Sequence, residues 1–395
     1  MDIMKRSVMF GFVAFLVTGL LLSMTATGQA SEAKKIPRMM TITTLRIGGA
    51  GHTMAISLGE VLKKEVGIKT RVVPISSSKA RLNYLRSRSA QFAILDGQGT
   101  NDAQWGAADY ATYDWGPQPV QMAWFGPSYL GIMTTKAHKD INTIADIRGK
   151  RVAAIAMTAP MRLAQSFLAF AGLTWKDVKK VPVPGYIAQF KALLAKQVDV
   201  VPVANPMTSM LYEIQASPGG LKWLPLPHNN KEAWKRLRSI APAGMPALLT
   251  VGPELSKEKP LEGFVHAYTI FSYADQDPDL VYTLAKTIGE NLEKLHAMAG
   301  AWKVYTTEFA LGIEGFPHSY HPGAVKYFKE KGLWTEKHEK WNTKQVALQK
   351  ELNNAWEPFL DKATQEKWKT PKLKKAWHVK IKEITGYDIP LIKVK

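Results

Sequence analysis

Two arginines next to helix starts are the residues with the most chemistry to offer in this chain. Arg162 follows a strand-like run and stands where Thr158 to Arg162 forms a loop opening a helix. A guanidinium there offers planar, two-point hydrogen bonding to a carboxylate, with the free amide groups of a helix start beside it. Arg81 stands in a comparable place, just after Ser76, Ser77 and Ser78. Capping accounts for one of these serines, and the others are candidates for ligand oxygens. If both arginines face one cleft, the site has two anion anchors on opposite lobes, which favours a dicarboxylate or another polyanion over a zwitterionic amino acid. Gly49 and Gly51, with Gly48 before them and His52 after, permit close approach of backbone to a ligand. Asp96 and Gln98 follow a third strand, and Asp96 is the acid that a ligand ammonium would need. Tyr186, Gln189 and Asn205 fall in later loops or helix starts and complete the candidate ligand-binding set.

Other chemistries find no support. The chain has no cysteine, which excludes disulfides, thiolate metal sites, a cysteine nucleophile and a lipid-modified cysteine. His318 and His321 have a spacing that would suit a metal on a helix, but Pro317 and Pro322 bracket them, so the segment reads as a turn. The glycines near 48–51 lack the Gly-x-Gly-x-x-Gly dinucleotide spacing, and no Gly-x-Ser-x-Gly elbow occurs. No catalytic residue, metal or cofactor is assigned. These residues describe binding.

The elements that must position them alternate. Thr41 to Gly48 reads as a strand, Met54 to Lys64 as a helix, Thr70 to Ile75 as a strand, a helix runs through Arg86, and Gln91 to Leu95 is a third strand. The same grammar restarts after Met122 to Thr135: a strand near Val152, a helix to Ala171, strand Val178 to Val183, a helix over Ile187 to Ala195, and strand Val198 to Val203. Leu255 to Tyr273 then leads back to the first unit, and a long helix is expected over Asp279 to Met298. Such patterns give α/β units with mainly parallel sheets, whose ligands sit at the carboxyl ends of the strands. Two similar α/β lobes, the second inserted in the first, fit a hinged binding protein, and periodicity alone also allows a two-domain α/β enzyme.

The N-terminus and the charge narrow the setting. Lys5 and Arg6, an apolar run from Val8 to Met24, and Gly28-Gln29-Ala30 form the pattern of a secretory signal peptide over 1–30. About 365 residues follow, enough for two domains with real cores. Periplasm is the expected location, with an uncleaved N-terminal anchor as the alternative to cleavage. The net charge of +19 raises nucleic acid as a partner, but export argues against it and favours anionic membrane surfaces or small anions. Ten lysines between Lys362 and Lys395 face only Glu366, Glu383 and Asp388, so part of the excess is local.

Several segments resemble one family. Ile141–Val152 (I-N-T-I-A-D-I-R-G-K-R-V) looks like the I-x-x-L-A-D-L-K-G-K-R-V segment of extracytoplasmic solute-binding proteins, and Gly172–Val178 resembles their G-L-T-x-x-D-V. Pro317–Phe328 is similar to the P-x-H-P-G-A-x-R-Y-Y close of the TAXI family, the binding subunits of certain TRAP transporters, and Leu82–Ile94 matches a further register of that family. The resemblance covers roughly Thr43 to Lys329. It implies a type II periplasmic-binding fold: two α/β lobes (41–133 with 261–330, and 134–260), a hinge and a central cleft. It further implies capture of a small anionic organic solute (a carboxylate or dicarboxylate, or an amino acid) by lobe closure, delivery to TRAP membrane subunits, a monomer, and no enzymatic step. The family's loops differ here. Gly48–Ala55 lacks the aromatic pair, Ser76–Arg81 replaces an amide with Arg81, and Thr158–Arg162 keeps only the arginine. An exported sensor or adaptor of the same fold stays open, as does an exported α/β hydrolase or lyase. Residues 331–395 read as a helical extension rich in lysine and tryptophan. Its tryptophans either pack on the first lobe while the lysines stay solvated, or meet lipid or the transporter.

Overall fold

A computed structural model describes residues 37–45, 47, 49–75, 77–312 and 316–387. The signal-peptide expectation over 1–30, and Ser76 among the candidate ligands, lie outside the described residues.

The first lobe opens with β1 (Met39–Thr44), α1 (Ala50–Val66), β2 (Lys69–Pro74), α2 (Ser78–Arg86), β3 (Phe92–Asp96), α3 (Gly97–Gln104) and β4 (Val120–Trp124). Local chemistry explains α1. Met54, Ala55, Leu58, Val61 and Leu62 form one buried stripe, Lys63 and Lys64 complement the last turn, and Gly67 closes the helix at φ +72°, where a side chain would be strained. The chain then crosses on β5 (Pro127–Thr134) into the second lobe: β6 (Arg151–Ile155), α4 (Thr158–Phe170), β7 (Lys179–Val183), α5 (Tyr186–Leu194), β8 (Val201–Ala204), α6 (Met210–Ala216), β9 (Lys222–Leu224), α7 (Lys231–Ile240) and β10 (Met245–Leu249). It returns on the long β11 (Leu261–Tyr273), followed by α8 (Pro278–Glu290), α9 (Leu292–Met298), α10 (Thr307–Leu311), α11 (Pro322–Glu330), α12 (Glu336–Gln365) and α13 (Thr370–Thr385).

The pairing pattern fixes the architecture. In the first lobe β2, β1 and β3 run parallel, and β11 joins β3 antiparallel before β4 adds on its other side. The second lobe repeats the scheme: β7 and β6 are parallel, Val152 bridges Val200 in parallel just before β8, and β8 pairs antiparallel with β5. In each lobe the antiparallel partner is the strand that has just crossed from the other. This is the type II periplasmic-binding fold. The crossings touch: β11 pairs with β5 as far as Ala267 and with β3 from Tyr268, whose N–H donates to the Gly126 carbonyl at 2.8 Å. Gly126 has no room for a side chain, since a Cβ there would lie 1.7 Å from the Tyr305 ring.

The run Met122 to Thr135, after which the pattern restarts, holds two strands, separated at Phe125–Gly126 where the chain changes lobe. One sequence expectation needs correction. The single helix over Asp279 to Met298 is two, because Asn291 leaves helical geometry (φ −128°, ψ 21°) and turns its amide back onto the Thr287 carbonyl at 2.9 Å.

The extension packs on the first lobe. Leu352, Trp356, Leu373, Trp377 and Ile381 of α12 and α13 form a separate apolar cluster with Trp105, Ala107 and Ala111, while most lysines of α12 and α13 remain in solvent. This matches the packing expectation rather than a stripe of tryptophans open to lipid. Among the described residues no helix is long and apolar enough to cross a membrane.

Candidate functional site

The parallel strands of both lobes end toward one junction, and the loops and helices that follow them carry the candidate residues. On the first lobe β3 runs directly into α3. Asp96 caps this helix, accepting from the Gly99 N–H at 2.7 Å, and its backbone carbonyl accepts from the Thr100 hydroxyl at 2.8 Å. The helix G-Q-G-T-N-D-A-Q has few apolar residues, yet all eight of its residues are buried. On the second lobe α4 begins at Thr158, so Arg162 lies in the second turn of the helix rather than in an opening loop.

The lobes meet through side chains of these two helices and the turn after α3. Arg162 Nη2 pairs with Asp102 Oδ1 at 3.1 Å, with the side chains 2% and 4% exposed. The Thr158 hydroxyl donates to Asp109 Oδ2 at 2.9 Å. Gln98 Nε2 donates to Asp102 Oδ1 at 3.3 Å. Burial pushes the Asp102 carboxyl up to about 6, with Asp109 and Asp96 adding to the rise and Arg162 opposing it. The guanidinium therefore repays only part of the cost of desolvating its partner. Arg162 is thus already engaged by a carboxylate of the chain itself.

Arg81 is also internal. Its Nη1 donates to the Ile94 carbonyl at 2.5 Å and its Nη2 to the Ser78 hydroxyl at 2.8 Å, which in turn reaches Asp96 at 3.4 Å. Ser77 caps α2 by accepting from the Ala80 N–H at 3.3 Å. The arrangement of two open anion anchors on opposite lobes is therefore corrected. Arg81 buttresses the end of β3, and of the two arginines it is Arg162 that bridges the lobes. Two buried groups within electrostatic reach of Asp96 were not singled out from the sequence. Burial pushes the His266 imidazole down to about 4, opposed by Asp96, and its Nδ1 has no hydrogen-bond partner among the described residues. Burial, Asp102 and Asp96 hold the Tyr110 hydroxyl well above the usual phenol range, and it too has no partner among the described residues. Gly51 packs beneath Tyr268, whose hydroxyl would lie 2.3 Å from a Cβ; Gly49 caps α1, and His52 in its first turn is half-buried.

Tyr186, Gln189 and Asn205 form a second group within the second lobe. The Tyr186 hydroxyl accepts from the Asn205 N–H at 2.7 Å and bonds the Thr208 hydroxyl at 3.1 Å, while Gln189 Nε2 donates to the Val203 carbonyl at 2.6 Å. Those bonds tie α5 to the end of β8. His321 caps α11, accepting from the Gly323 N–H at 3.1 Å, and His318 is buried against the Phe271 ring. No group of three metal-ligating side chains occurs among the described residues.

Asp102, Asp109, Tyr110 and His266 were missed for different reasons. A polar helix such as α3 reads as solvent-exposed, and it is buried by first-lobe strands, the Arg162 helix and the C-terminal extension packed around it. His266 did leave a signal, as the lone imidazole inside the apolar run of β11.

The NMT1-like family model matches residues 42–332. No curated protein matches the sequence. Among solved structures, the periplasmic aliphatic sulphonate-binding protein SsuA from Escherichia coli is 14% identical, with a TM-score of 0.42 over 80% of this chain and 87% of that one. The extracellular-binding protein YtmK from Bacillus subtilis, a probable amino-acid ABC transporter component, is 11% identical, with a TM-score of 0.43 over 67% and 97% of the two chains. The GluR0 ligand-binding core from Nostoc punctiforme, in complex with L-glutamate, is 15% identical, with a TM-score of 0.41 over 67% and 100%.

Proposed function

Since the chain belongs to the NMT1-like family, we propose that it is a periplasmic solute-binding subunit which captures a small anionic organic solute between its lobes and delivers it to the membrane subunits of a TRAP-type transporter. The observation that carries this reading is the buried meeting of Arg162 with a carboxylate across the lobes. That position already receives a carboxylate, and the Asp102 carboxylate there is poorly stabilised because burial holds its pKa near 6. A solute carboxylate or sulfonate with two-point geometry displaces it from the guanidinium. Asp102 then takes up a proton beside the bound anion, so affinity falls as pH rises above 6. No bond of the solute is made or broken in this role. The transporter class rests on the segments at 141–152, 172–178 and 317–328, and the compartment on the N-terminal pattern.

The test is calorimetry and thermal shift of the mature chain against carboxylates, sulfonates, phosphates and amino acids. A native-state ligand raises the melting temperature in a concentration-dependent way. Binding of an anion that Arg162→Ala abolishes supports the reading; binding that survives this change, or a panel of anions with no hit, overturns it. Uptake driven by an ion gradient and indifferent to ATP depletion is the matching test of the transporter class.

A further inference from the structure

The segment that carries Asp102 and Asp109 does not support itself. Helix α3 contains Gly97, Gly99, Asn101 and Asp102, all weak helix formers, in only eight residues. Its last carbonyls have no partner within the helix, as at any helix end. Two of the carbonyls at this end are taken by the C-terminal extension. Gln349 Nε2 of α12 donates to the Gln104 carbonyl at 3.0 Å, and Trp377 Nε1 of α13 donates to the Trp105 carbonyl at 2.9 Å. The loop beyond is gripped from the same side. The Tyr113 hydroxyl donates to the Trp368 carbonyl at 2.6 Å, and Trp356 packs on Gly116 so closely that a Cβ there would lie 2.2 Å from its Nε1. The opposite side of the same segment presents Asp102 to Arg162 and Asp109 to Thr158.

We propose that α12 and α13 form a positioning brace: by capping α3 from behind, Gln349 and Trp377 fix Asp102 and Asp109 where they meet Arg162 and Thr158 of the second lobe. The extension thereby sets the shape of the junction from a distance, acting through α3 and the loop that follows it. The functional meaning of the brace rests on reading this junction as the ligand cleft, but its contacts exist without any ligand.

Hydrogen exchange on the ligand-free full chain tests it, with Gln349→Leu, Trp377→Phe and Tyr113→Phe compared with the parent. Loss of one buried hydrogen bond to a carbonyl is expected to speed exchange in 97–116 by about five- to tenfold. The brace predicts that peptides covering 158–166, on the other lobe, speed up as well. A pair of spin labels at Lys64→Cys and Lys191→Cys, in a chain with no other cysteine, is expected to show a broadened distance between lobes. Faster exchange confined to α12, α13 and 104–116, with 158–166 and the label distance unchanged, overturns the proposal. Tyr113 is partly exposed, so Tyr113→Phe keeps the test decisive should Trp377→Phe fail to fold. Because no ligand is added, a negative result here is separate from a negative result in the anion panel.

Discussion

Asp102→Asn is expected to stabilise the protein above pH 6, although it removes one partner of a buried ion pair. Two magnitudes compete. Stripping one charge from a buried pair commonly costs about 3–5 kcal/mol, because the other is left alone. Against that, the Asp102 carboxyl is raised from 3.8 to about 6 in the folded chain, a shift of about two units or about 3 kcal/mol. The attraction of Arg162 is already contained in that balance and is outweighed by burial, with Asp109 and Asp96 pushing the same way. The sign follows from proton binding. Between about pH 4 and 6 the folded chain holds a proton that the unfolded chain has released, so this contribution is complete below pH 4 and lost as pH rises through 6. Asparagine is neutral throughout and still accepts from the guanidinium. The variant should therefore match the parent at pH 4 and exceed it by up to about 3 kcal/mol at pH 8. Urea unfolding at pH 4, 6 and 8 reads this directly as a shift in midpoint at constant slope. A variant less stable than the parent at pH 8 would refute the reasoning, since it would mean that the Arg162 attraction exceeds the burial cost.

Three further outcomes follow from buried positions. His318 is fully buried with its pKa pushed down to about 3 and no ring hydrogen bond among the described residues. The stability it contributes by staying neutral is present above pH 6.5 and is lost as pH falls, so His318→Leu should shrink the loss of stability between pH 8 and 5 by about 2 kcal/mol; an unchanged acid profile counts against it. Gly126→Ala drives a methyl into the Tyr305 ring at the lobe crossing, with an expected cost of about 2–3 kcal/mol in urea unfolding; a neutral effect would show that the crossing can shift. Trp377→Ala empties the centre of the extension cluster and should cost about 3–5 kcal/mol, checked by the same unfolding series.

Much of the fold was legible because it is local. The alternation of strand, small-residue loop and helix repeats in both lobes, and the stripe Met54, Leu58, Val61 and the αL position at Gly67 each declare their element without reference to the rest of the chain. The helix bearing Arg162 was legible in the same way, since strand and helix are neighbours in sequence. The change of lobe at Gly126 was not, because it depends on the Tyr305 ring packed there from far along the chain; the break at Asn291 is local, its amide turning back onto the Thr287 carbonyl one turn earlier, and the apolar periodicity alone did not mark it. The site divides along the same line. Sequence determined that the loops after the strands carry arginines and serines suited to an anion and an acid suited to an ammonium. It could not assign their partners. Arg162 and Asp102 are far apart in the chain, and the polar helix α3 is buried by elements from the first lobe, the second lobe and the extension that come together only in the fold. Ionisable groups take their chemistry from desolvation and from charges brought near by the fold, and those are properties of the tertiary structure alone.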